Sequence, residues 1–142
     1  MGQFIQRIQS RNQDLQKLMQ VPVPVKSPDA LSPLLQQALD YIERNLDQAI
    51  TLEDIASDLG ISQFHFCRYF KKHMGIAPYR YVIQQRVERA KQLIKGHKLS
   101  LVEIALLCGF NSQSHLIHHF KKQTGITPKT YRSMAQRGLA EV

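Results

Sequence analysis

The chain has 142 residues, a formal charge of +8 and a 43% hydrophobic composition. That is enough apolar material to bury a core in one domain, or one domain plus an arm, and it argues against general disorder. The two cysteines, Cys67 and Cys108, are too few for a disulfide framework and suit a reducing compartment. No apolar run approaches the roughly 20 residues of a membrane span, and the opening MGQFIQRIQS lacks a signal-peptide core. A cytoplasmic protein with no membrane partner is therefore expected.

In chain order, residues 1–20 place Phe4, Ile8, Leu15 and Leu18 at heptad-like spacing, interrupted by Arg11. This arm reads as a short helix able to form a weak homodimer, as a frayed helix, or as the end of an upstream domain. Residues 21–33, VPVPVKSPDALSP, hold four of the six prolines and read as an extended linker. Ser32-Pro33 then caps a helix whose apolar face is Leu35, Leu39, Ile42 and Leu46.

An internal repeat follows. TLEDIASDLG from Thr51 aligns with SLVEIALLCG from Ser100, and FHFCRYFKKHMGIAPYRY from Phe64 aligns with SHLIHHFKKQTGITPKTY from Ser114. The register slips by one residue between Gly109 and Ser114, inside a turn. Two copies are too few for a solenoid. Each copy predicts helix, tight turn, helix, over about residues 51–75 and 100–125. Thr51-Asp54 and Ser100-Glu103 form capping boxes. Gly60 and Gly109 end the first helices in left-handed conformation, and Gly75 and Gly125 close the second ones. Ser62 caps the first copy's second helix, and Asn111 or Ser112 caps its counterpart. Phe66, Phe70 and Met74 form one buried stripe, which Leu116 and Phe120 repeat. Ala56 and Ala105 are small where two helices cross. Pro78 and Pro128 each begin a further helix. Between the copies, residues 78–95 predict a strut helix about 27 Å long at roughly 1.5 Å per residue.

Charge follows this organisation. Residues 29–58 hold Arg44 against seven acids, whereas residues 59–137 hold fourteen Lys and Arg against Glu88 and Glu103. Such a basic field attracts a polyanion and makes association salt-sensitive, although a merely soluble basic surface has the same composition. A short helix, a Gly turn and a second helix with a polar outer face together form the helix-turn-helix pattern.

Residues 100–132, SLVEIALLCGFNSQSHLIHHFKKQTGITPKTYR, resemble the signature of the AraC/XylS transcription regulators. The first copy, with HFCRYFKKHMG at 65–75, resembles that family's more variable amino-terminal unit. The resemblance covers about residues 34–137 and includes both copies, the strut and the terminal Pro-containing helix. It implies an all-α fold of two helix-turn-helix subdomains joined by a strut helix. The second helix of each would enter a major groove of double-stranded DNA on one face, about one helical turn (~34 Å) apart. Because the copies differ, the site would be asymmetric. Small stand-alone members have a similar length, and the roughly 30 residues upstream are too few for the effector domain of longer members. RNA polymerase is a further expected partner.

The outward face of the first recognition helix is Gln63, Phe64, Cys67, Arg68 and Lys71. Arg68 suits guanine, Gln63 adenine, and Phe64 a thymine methyl group unless it packs on the strut. The corresponding face of the second is Gln113, Ser114, Ile117, His118 and Lys121. Many relatives carry arginine where His118 stands, and an imidazole has shorter reach, so weaker or shape-based reading of the second half-site is expected. Lys72, Lys122, Arg80, Lys129 and Arg132 are phosphate candidates, with the helix starts at Thr51, Ser100 and Thr127.

Two rival readings remain. The Lys pairs would also permit a basic helical module that binds protein or RNA. The cluster His115, His118, His119 and the pair His65, Cys67 invite a metalloenzyme reading, but neither has paired-ligand spacing. His65 and His115 occupy equivalent repeat positions, which points to a shared structural role. With no nucleophile elbow, phosphate loop or carboxylate pair, no enzyme, metal or cofactor is expected.

Overall fold

The computed structural model describes residues 32–96 and 98–138. The 1–20 arm, its homodimer expectation and nearly all of the 21–33 linker lie outside the described residues. Those described form seven α-helices and no strand: α1 (Pro33–Arg44), α2 (Leu52–Leu59), α3 (Gln63–Met74), α4 (Pro78–Lys95), α5 (Leu101–Leu107), α6 (Gln113–Thr124) and α7 (Pro128–Gln136). None of them is long and apolar enough to cross a membrane.

Local chemistry explains the boundaries. Thr51 and Ser100 each accept from the amide three residues on, and Asp54 and Glu103 accept from the cap amides in return, so both capping boxes close. Ser62 and Ser112 cap α3 and α6 by accepting from His65 N and His115 N. Ser112, not Asn111, is the second cap. The turns after α2 and α5 are built alike. Ile61 N donates to Ala56 O at 3.0 Å and Phe110 N to Ala105 O at 2.9 Å, each across a glycine with φ of +71° or +87°. This six-to-one bond is the Schellman arrangement, which needs a left-handed residue before it. The predicted apolar face of α1 differs at one position. The helix ends at Arg44, and Leu46 reaches the core from the connection that follows.

There are two cores. One gathers Leu35, Ile42 and Leu46 with Ile55, Ala56, Phe66, Phe70 and the strut residues Tyr81 and Val82. The other gathers Ile83, Val87, Ala90 and Ile94 of the strut with Ile104, Ala105, Leu116, Phe120 and Tyr131. The α4 helix therefore changes allegiance between Val82 and Ile83. The repeat extends into each core. Phe70 meets Tyr81 edge-on with centroids 5.5 Å apart, and Phe120 meets Tyr131 at 5.4 Å. Ala56 and Ala105 are both buried, where a larger side chain would hold the crossing helices apart. Neither α1, α2 nor α3 packs broadly against α5, α6 or α7; both groups lean on α4.

Candidate nucleic-acid interface

With Phe66, Phe70 and Met74 turned inward, α3 leaves Gln63, Phe64, Arg68 and Lys71 exposed and Cys67 half-buried. Phe64 is 71% exposed, so the alternative in which it packs on the strut is not realised. Instead its ring lies under the Arg68 guanidinium, with the centroid 5.5 Å from Cζ. This cation–π pair extends an arginine and a flat apolar ring from one turn of helix. It leaves the guanidinium edge free for two parallel hydrogen bonds and the ring free for a methyl group.

The α6 helix buries Leu116 and Phe120, leaving Gln113, Ser114, His118 and Lys121 exposed and Ile117 half-buried. Its aromatic surface is organised differently. His115 and His119 approach at 2.9 Å between their Nε2 atoms, which requires one nitrogen to carry a proton and the other to be bare. Phe110 backs both rings, edge-on to His115 and stacked on His119. Desolvation, with His115, His118 and Lys122 nearby, lowers the His119 pKa below its ordinary 6.5. The extra residue of the second turn, Asn111, donates its amide to His115 Nδ1 at 3.4 Å. The expectation of a shared role for His65 and His115 holds for their amides, which both donate to a cap serine. It does not hold for their rings, because the His65 side chain is exposed and the His115 ring is packed and hydrogen-bonded.

The basic periphery also divides. Lys72, Lys122, Arg80 and Lys129 are exposed. Arg132 departs from the expectation of a free phosphate-facing cation. It is half-buried, and its Nη2 donates to Leu99 O at 2.6 Å, tying α7 to the connection ahead of α5. Thr51 and Ser100 are exposed caps, while Thr127 is half-buried and accepts from Thr130 N. In all three the hydroxyl serves its own helix, so only the remaining first-turn amides could meet an anion.

Two buried arginines have partners that the sequence does not mark. Arg86 lies in mid-strut, and Arg89 approaches Glu43 of α1 at 3.7 Å. Beside them is Cys108, whose thiol burial pushes to a pKa of about 12, leaving it an inert apolar filler.

A family described as "Helix-turn-helix domain" matches residues 55–134. Over 93 residues the chain is 38% identical to the probable transcriptional regulator LumQ of Photobacterium leiognathi, covering 66% of this chain and 38% of LumQ. It spans well under half the length of that relative and of others it matches. Among solved structures, it is similar to an AraC-type DNA-binding-domain regulator from Chromobacterium violaceum, with a TM-score of 0.68 and 33% identity over 72% of this chain and 92% of that one. The DNA-binding domain of AdpA in complex with a target DNA gives a TM-score of 0.69 and 33% identity, over 76% and 98% of the two chains. The duplicated units, the strut and these matches agree: the chain belongs to the AraC-type helix-turn-helix family.

Proposed function

We propose that this chain is a sequence-specific transcription regulator that places α3 and α6 in successive major grooves of an asymmetric site on double-stranded DNA. The observation that carries the reading is the pair of equivalent, exposed recognition-helix faces with unlike chemistry, mounted on one strut. In the first, Arg68 donates to guanine, Gln63 pairs with adenine, Phe64 touches a thymine methyl group, and Cys67 and Lys71 complete the reading face. In the second, Gln113, Ser114, Ile117, His118 and Lys121 contact bases with less reach and less charge. Lys72, Arg80, Lys122 and Lys129 hold phosphates, assisted by first-turn amides at Thr51, Ser100 and Thr127, and set register without reading sequence. Arg132 is left out of that set because it serves Leu99.

The reading has no catalytic step, in keeping with a family of regulators. The protein would act in the cytoplasm on nucleoid DNA. RNA polymerase is the protein partner this reading implies. The function is tested by selecting bound duplexes from a random library at physiological salt. Two unlike sequence blocks about 10 bp apart are expected. Recovery of duplexes with no enriched sequence would leave only nonspecific binding.

A further inference from the structure

The strut holds one feature that groove reading does not use, a buried guanidinium shared by both units. Arg86 is 6% exposed at the middle of α4. Its Nε donates to Leu46 O at 3.0 Å and its Nη2 to Gln48 O at 2.7 Å, so both bonds go to the connection between α1 and α2. The second unit closes on the same point. A Cβ on Gly109 would lie 2.2 Å from Leu46 O and 2.7 Å from Arg86 Nε, so the α5–α6 turn rests directly on that carbonyl and that side chain. The equivalent glycine of the first turn, Gly60, has nothing within 4 Å.

Removing a guanidinium from water is expensive unless its hydrogen bonds are replaced. Here two carbonyls replace two of them, and burial, with Arg89 nearby, lowers the arginine's pKa against the raising effect of Tyr79, Cys108 and Asp47. Such a costly group stands where few other contacts bridge the units, because the helices of one unit do not pack broadly on those of the other. Arg89 reinforces the same side of the strut through Glu43.

We propose that the junction of Arg86, the Leu46 and Gln48 carbonyls and Gly109 sets the angle between α3 and α6, and thereby the half-site spacing this protein accepts. Arg86 is a positioning residue that confers spacing specificity without touching DNA. The inference rests on the two-groove reading above. One base pair turns the helix by about 35°, so a fixed angle between the recognition helices tolerates little change in spacing.

The test uses the full chain and duplexes carrying both half-sites at the selected spacing and at one base pair fewer or more. The wild type is expected to lose tenfold or more in affinity at either altered spacing. Arg86→Gln is expected to reduce that discrimination to about threefold or less, with base preference within each half unchanged. Arg86→Lys, which keeps the charge but cannot span both carbonyls, is expected to fall between. Melting curves on the same samples separate unfolding from altered geometry. A folded Arg86 variant that keeps wild-type spacing discrimination overturns the proposal. If neither variant folds, the wild type still decides: specific binding with equal affinity at all three spacings overturns it, and a sharp preference supports it. Failure of the parent reading looks different, since the wild type would then bind all sequences alike.

Discussion

The two helix-turn-helix units share their caps, their Schellman turns and their Phe–Tyr edges, yet their surroundings differ. The turn of the first faces open space at Gly60, while that of the second is pressed onto Leu46 O and Arg86 at Gly109. The recognition helix of the first offers an arginine braced by an exposed phenylalanine. That of the second carries histidines, two of them occupied with each other and with Phe110. Duplication has kept what folds the unit and changed what it touches.

The largest expected effect separates the two glycines. Gly60→Ala should cost about 1–2 kcal/mol, the price of a left-handed alanine. Gly109→Ala adds an overlap with backbone and should cost about 3 kcal/mol or more, read as denaturant midpoints on matched samples. Equal losses would mean that the second turn is as open as the first.

Removing the exposed ring comes next. Phe64→Ala should leave folding within about 0.5 kcal/mol, since the side chain is at the surface. It should weaken specific binding about fivefold, through the lost thymine contact and the unbraced Arg68. Ser114→Ala, at the equivalent repeat position, should change binding less.

The lysine pairs should behave alike in the two units. Lys72→Ala and Lys122→Ala are each expected to lower the salt dependence of binding by about one phosphate contact, across all sequences tested. A loss confined to one base sequence would move that lysine from phosphate to base reading.

The smallest effect is a pH dependence confined to the second unit. Because the folded state holds the His119 pKa below 6.5, the unfolded chain takes up that proton first. Stability is thus complete above pH 6.5 and declines as the pH falls from there toward the lowered folded value. His119→Gln should flatten that decline relative to wild type in melts between pH 7.5 and 5. An unchanged slope would show that His119 does not set it.

Much of this fold is legible in the sequence because its signals are local. A hydroxyl three residues before an acid, a glycine at a helix end and a proline at a helix start act within one turn. The repeat reinforces each of them, as Phe66 and Phe70 do for Leu116 and Phe120. What escapes is long-range and polar. The partners of Arg86 lie 40 and 38 residues away, and that of Arg132 lies 33 away. Each is a backbone carbonyl, which any residue supplies, so no pattern in the chain marks it. A free cation and a buried brace therefore read the same, which is why the sequence points Arg132 at phosphate. Phe64 was ambiguous for the complementary reason, since an aromatic beside a helix start suits both a core and a reading surface.

Two unequal units would read unequal half-sites, with Arg68 the stronger reader. This is tested most directly by measuring wild type, Arg68→Ala and His118→Ala against the selected duplex and against duplexes with one half scrambled. Arg68→Ala should cost about 1–3 kcal/mol and become insensitive to scrambling of one half. His118→Ala should cost less and lose sensitivity to the other half. If His118→Ala costs as much as or more than Arg68→Ala, or if both variants lose sensitivity to the same half, the assignment of unequal readers to separate half-sites is wrong.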